Sequence, residues 1–152
     1  NQDLVAMANT GNAAVAAAGT EQLLGSLNGV FYTDASTSKP TFQAYLLGSN
    51  TATDIVALIN DDPHQVYEIR SNNGSASLAT DVGNTAEISY SAGATPNYIS
   101  RTTLDDGTLG TSSQQLKIVG VSRDPDNNDI GSAGVVWRVV ISEHFFKQHA
   151  GI

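Results

Sequence analysis

The sequence predicts an all-β domain, and three observations carry that reading. Short apolar runs recur between clusters of Gly, Asn, Asp, Ser and Pro, the punctuation of a sandwich or barrel. Residues 134–142 alternate strictly, with Val135, Trp137, Val139 and Ile141 on one face and Val136, Arg138, Val140 and Ser142 on the other. Only 14% of residues are charged and 14 are Gly, a composition suited to turn-rich sheets rather than to helices, whose surfaces carry Glu, Lys and Arg. At 152 residues the chain can bury one core. The expectation is therefore a single compact β-barrel, β-tulip-like or β-sandwich domain over 1–152, with long irregular loops and at most one short helix.

The elements follow in order. Residues 4–8 read as a strand already under way, which predicts a segment before Asn1 and an N-terminal arm over 1–12. The alanine-rich run 13–17 lies between Gly11-Asn12 and Gly19-Thr20, too short for a self-standing helix, and is assigned as strand. Further strands fall at 23–32, 41–46, 54–59 and 65–70, separated by turns at 34–40 and at Asp61-Asp62-Pro63. Residues 75–82 suit one or two helical turns stopped by Gly83. From 83 to 110 the chain is polar, rich in Thr and Gly and poorly periodic; it holds one strand, 86–90, and reads as a long excursion or a subunit contact. Strands 115–122 and 134–142 form an antiparallel hairpin across a polar loop. Phe31 and Trp137 are assigned to the core. Phe145 and Phe146, adjacent in an extended chain, point to opposite faces, so one of them is expected to meet a partner subunit.

Charge narrows the function. A net charge of −8 with only seven Lys and Arg offers no basic patch for nucleic acid and none for an anionic membrane surface. With no cysteine there are neither disulfides nor thiolate metal sites. No apolar stretch approaches the roughly 20 residues of a membrane span, and the start carries no basic-then-apolar signal peptide.

Candidate chemistry is weighed against turn formation. Asp124-Pro125-Asp126-Asn127-Asn128-Asp129 sets oxygens at alternate positions as a calcium loop does, but Asp129 stands where that loop needs Gly and Val135 where it needs a bidentate Glu. A solvated turn is the reading adopted. Asp61-Asp62 and Asp105-Asp106 are paired carboxylates in turn contexts, where such residues cap backbone groups. His64, His144 and His149 match no metal motif, and neither a nucleophile elbow nor a phosphate loop occurs. The expectation is a non-enzymatic protein without cofactor or metal.

Several segments together resemble a family of virion structural proteins of tailed phages. They are Asp3-Leu4-Val5-Ala6-Met7, Leu24-Gly25-Ser26-Leu27-Asn28-Gly29-Val30-Phe31-Tyr32-Thr33-Asp34, Lys39-Pro40-Thr41-Phe42, and Ala57-Leu58-Ile59-Asn60-Asp61-Asp62-Pro63 followed by Val66-Tyr67-Glu68-Ile69. Leu116-Lys117-Ile118-Val119-Gly120-Val121-Ser122-Arg123 and Val139-Val140-Ile141-Ser142-Glu143-His144 complete the series. The likeness covers both ends and the middle and skips roughly 71–113. It implies a capsid decoration (cement) protein on the outer capsid surface of the virion, bound to the major capsid protein and to itself, commonly as a homotrimer, with no catalytic residue. The segments least able to satisfy themselves are 83–110, the N-terminus and the tail 145–152, which makes Asp3, Leu4, Val5, Tyr98, Phe145, Phe146 and His149 the interface candidates. The alternative is a β-sandwich module binding carbohydrate or a cell surface, whose mark would be exposed aromatics clustered with Asp and Asn.

Overall fold

In the computed structural model, which describes residues 1–20, 22–72, 79–132 and 134–147, the chain alternates strand and turn throughout. The strands are β1 (Leu4–Met7), β2 (Ala13–Val15), β3 (Leu23–Thr33), β4 (Pro40–Gln43), β5 (Val56–Asn60), β6 (Val66–Arg70), β7 (Thr85–Ala86), β8 (Ile88–Ser89), β9 (Thr103–Leu104), β10 (Leu116–Val121) and β11 (Val136–Ile141). Helical structure among the described residues is confined to 3-10 turns at Ala79–Asp81, Asp106–Thr108 and Phe145–Lys147. Each strand expected from the sequence is present with its ends within three residues of the expected ones, except that 86–90 divides at Glu87 into β7 and β8. The short β9 lies inside the stretch that showed no periodicity. Residues 75–78 of the expected helical turns lie outside the described residues, and Ala79–Asp81 forms a single 3-10 turn.

Three antiparallel sheets result. The first runs β2-β1-β3-β4, with β5 on the other edge of β3; the second runs β6-β11-β10-β7; β8 and β9 pair alone. The hairpin expected at the C-terminus is β10–β11, with Leu116 opposite Ile141 and Val121 opposite Trp137. Residues 1–12 are not a free arm. Leu4–Met7 pairs with both β2 and β3, and the chain turns back at Gly11, whose N–H donates to the Ala8 carbonyl at 2.9 Å.

Burial follows the alternation. The inward face of β11 (Trp137, Val139 and Ile141) joins Leu116 and Ile118 of β10, Leu23 of β3, and Ile88 and Leu104 in the main core between the sheets. A second cluster lies on the other side of the first sheet, built from Val5, Leu24, Leu27, Val30 and Tyr32 and flanked by Ile55, Ile59 and Phe145. The first sheet therefore buries apolar residues on both faces along β1 and the start of β3. Further along β3 only one face stays covered. Val30 and Tyr32 take it, and Phe31 between them faces solvent at 47% exposure, which corrects its assignment to the core.

The turns are held by side-chain oxygens. In the β3–β4 turn the Asp34 carboxylate accepts from the N–H and hydroxyl of Ser36 and of Thr37. Those bonds hold its pKa at about 2, the Ser36 hydroxyl contributing most. Asp54, read from sequence as the start of a strand, instead accepts from the Thr33 N–H and ties the β5 approach to the end of β3.

His144 is fully buried just past β11, where the Leu23 N–H donates to the neighbouring Glu143 carbonyl. Its Nδ1 accepts from the Phe146 N–H at 3.2 Å, so the neutral ring carries its proton on Nε2. Burial pushes its pKa below 6.5; the Leu24 backbone opposes that shift and the Lys147 charge reinforces it. A lowered folded-state pKa means that the unfolded chain takes up the proton first as pH falls. The stability that His144 contributes is accordingly present above pH 6.5 and is lost as pH drops through that value toward the lowered one. Urea midpoints at a series of pH values between about 7.5 and 5 should fall for the wild type, and His144→Phe should flatten this slope whatever it does to the midpoint itself.

Candidate functional site

The acidic turns are accounted for by backbone capping. Asp124 accepts from the Asp126 N–H at 3.1 Å and from the Asn127 side-chain amide at 2.7 Å, which closes the turn and occupies both its oxygens. Asp62 accepts from the His64 N–H at 2.8 Å. Asp105 caps the 3-10 turn through the Gly107 N–H at 3.1 Å, while buried Asp106 accepts from the Ser71 hydroxyl at 2.8 Å. Among the described residues no three His, Asp or Glu side chains converge as a metal-ligand set does.

The interface candidates separate by face. Leu4 packs against the main core, and Val5, one residue on, belongs to the second cluster and is buried. Phe145 packs partly into that second cluster. Phe146 stands 57% exposed, its ring edge-on to Phe145 at 5.3 Å. The two rings do not point to opposite faces as expected: Phe145–Lys147 is a 3-10 turn rather than an extended chain, and it brings them into edge-to-face contact. His149 lies outside the described residues.

Asp3, Val5 and Tyr98 come together. They line one cleft of about 720 Å3 on the second-cluster side of the first sheet, floored by aliphatic side chains including Leu24, Leu27, Val30 and Ile59. Tyr45, Tyr90 and Tyr98 are among its walls, and Tyr45 and Tyr98 pack with ring centroids 4.5 Å apart and planes at 43°. Local backbone structure puts Tyr98 there. Its N–H donates to the Ala94 carbonyl at 2.9 Å, and the Ser100 N–H donates to the Asn1 carbonyl at 2.8 Å, tying the 91–100 loop to the N-terminal segment. The loop closes so tightly that a Cβ on Gly93 would lie 2.4 Å from the Tyr98 carbonyl carbon. Tyr98 itself sits at φ +48°, in the left-handed region that a non-glycine residue rarely occupies.

Electrostatics sharpen this cleft. Asp3 is 16% exposed; its Oδ2 lies 3.7 Å from the Asn1 nitrogen, and its Oδ1 is buried without a hydrogen-bond partner. Desolvation raises the Tyr90 pKa, and the Asp3 charge adds to the rise, so the carboxylate field reaches the tyrosine wall. No Lys, Arg or His lines the cleft among the described residues.

The opposite face of the same sheet carries a second feature that the sequence reading missed. Phe31 pairs with Phe42 across β3–β4 and with Val56 across β3–β5, while Leu58 lies opposite Gly29, two residues before Phe31. These four side chains form one apolar surface over three strands, with exposures of 47%, 58%, 55% and 46% in the order named. The Phe42 ring covers Gly29, where a Cβ would come within 2.6 Å of it. The alternation of Phe31, Val56 and Leu58 with less exposed neighbours was the available signal; nothing local shows that their face stays uncovered.

Comparisons with protein-family models, with curated proteins and with solved structures find no match to this chain. What fold and surface define is an all-β domain with a tyrosine-walled cleft on one face of its first sheet and an exposed apolar row on the other.

Proposed function

We propose that this chain is a structural virion protein that binds the outside of a tailed-phage capsid lattice and stabilises it by bridging major capsid protein subunits. The observation that carries the reading is the exposed row Phe31, Phe42, Val56 and Leu58, since large apolar side chains contiguous on a sheet face suit burial against another protein. The segments that resemble virion proteins include Phe31, Phe42 and Leu58 themselves. An assembled lattice presents the complementary site, so binding favours the assembled state by mass action. By the same resemblance the chain acts as a homotrimer and performs no catalysis.

The carbohydrate-binding alternative draws on the tyrosines beside Asp3 and Asn12. A sugar presents hydroxyls around its whole ring, however, and each needs a polar partner. The aliphatic floor of this cleft provides few, which leaves the shell-binding reading the stronger.

Co-sedimentation with expanded, undecorated shells of the encoding phage tests it. Saturable binding at a fixed ratio to the major capsid protein is expected. The double variant Val56→Glu/Leu58→Glu, altered only at exposed positions, should bind at least about tenfold more weakly. Failure of the wild type to bind, or equal binding by the variant, overturns the proposal.

A further inference from the structure

The cleft on the other face of the sheet has a chemistry of its own, independent of shell binding. Its volume of about 720 Å3 lies in the range of small-molecule sites, and its lining combines aliphatic side chains with polar groups that include Asp3, Asn12, Thr53 and the three tyrosines. A neutral ligand could use the apolar floor and the polar lining but would leave the Asp3 charge without a counter-charge. An anion would meet the Asp3 carboxylate. A cation meets two complementary features at once: a carboxylate with spare acceptor capacity, and tyrosine side chains, whose ring quadrupoles attract positive charge.

We propose that this cleft binds a small amphiphilic organic ammonium ion, with the apolar body on the Leu24, Val30 and Ile59 floor and the ammonium between Asp3 and the tyrosine wall. Asp3 supplies the charge. One oxygen has no hydrogen-bond partner and the other lies only loosely, at 3.7 Å, beside the Asn1 nitrogen. The two-fold torsion at the end of an aspartate side chain exchanges its oxygens readily, so either can turn toward a donor in the cleft. Asp3 and Tyr90 both line the cleft, and the Asp3 charge adds to the rise that burial gives the Tyr90 pKa. Tyr98 completes the wall at the cost of a left-handed backbone, held by Gly93 and the Ala94 carbonyl. Strain of that kind persists where the surrounding structure imposes it, and here it brings one ring against Tyr45. Among the described lining residues no Lys, Arg or His competes for the carboxylate, and its charged neighbour is the Asn1 nitrogen at 3.7 Å, which an ammonium ligand would have to displace or share.

The test uses the full chain and three probes of equal length, n-hexylammonium, hexan-1-ol and hexanoate, titrated near pH 7 while amide shifts are followed by NMR. Saturable shifts are expected at Asp3, Tyr90 and Tyr98. The ammonium should bind about tenfold more tightly than the alcohol, and hexanoate more weakly than either. Asp3→Asn should bring ammonium and alcohol to equal affinity. Tyr98→Leu should weaken the ammonium more than the alcohol, and it keeps the test open if the Asp3 variant does not fold. Equal affinity of ammonium and alcohol in the wild type overturns the proposal, as does a preference that survives both substitutions, or shifts that fall outside the cleft. Shell co-sedimentation is read separately, so either proposal can fail while the other stands.

Discussion

Replacing Trp137 with alanine is expected to destabilise the protein by about 4 kcal/mol, lowering the thermal midpoint by about 10 °C, as followed by circular dichroism. The indole is completely buried on β11, the second strand of the β6-β11-β10-β7 sheet, opposite Ile69 on one side and Val121 on the other. Removing it forfeits apolar burial and leaves a void that neighbours fixed by two ladders cannot fill. Trp137→Phe separates packing from polarity. The indole Nε1 is buried with no hydrogen-bond partner, so phenylalanine surrenders no bond and relieves one unsatisfied donor. Its cost should be well under half that of alanine. Near-equal costs for the two variants would show that the ring contributes something other than volume at this position.

The same residue shows how much of the fold was legible in the sequence. Period-two alternation over 134–142 identified the buried face of β11 because a strand with one covered face leaves that imprint directly on its residues. β10, β3, β5 and β6 were readable instead as short apolar runs between turn clusters, and their turns through Asp and Asn. Alternation states which residues share a face, but not whether anything covers it. Phe31 shares a face with Phe42, Val56 and Leu58, and that face is bare, a fact set by where the other sheet ends. Val5 shows the converse. The unbroken run Leu4-Val5-Ala6-Met7 is the pattern of a strand covered on both sides, and β1 is such a strand, with Ala6 in one cluster and Val5 in the other. Poor self-containment did single out Asp3 and Tyr98. Their meeting with Tyr45 and Tyr90 was hidden, because each of these tyrosines lies outside the strands and only the closed 91–100 loop and the first sheet bring them together. A cleft assembled from four distant segments leaves no local pattern to read.

Gly25→Ala, a change of one methyl group, should cost about 3 kcal/mol or more, rivalling the loss of the tryptophan. Gly25 lies on β3 opposite Val5 of β1, at φ +146°, a backbone conformation that side chains rarely adopt. A Cβ there would stand 1.8 Å from the Asn60 carbonyl oxygen and 2.9 Å from its carbon, with the Tyr67 hydroxyl at 3.1 Å. None of those atoms can yield cheaply. Asn60 ends β5, where it pairs with Ser26, and its carbonyl accepts from the Tyr67 hydroxyl at 2.9 Å. The methyl must therefore push β5 off β3 or rotate β3 itself, and β3 is the strand on which β1, β4 and β5 all pair. Either movement reaches the cleft and the apolar row, since β5 contributes Ile59 to one and Val56 and Leu58 to the other. Trp137, the only tryptophan and fully buried, reports the outcome without alteration through the red shift of its emission on unfolding. The variant's urea midpoint should fall well below that of the wild type. Gly48→Ala, where a Cβ would meet nothing within 4 Å, should leave the midpoint nearly unchanged. A Gly25→Ala midpoint equal to that of Gly48→Ala would mean that β3 and β5 do not approach as closely as the Gly25–Asn60 contact requires.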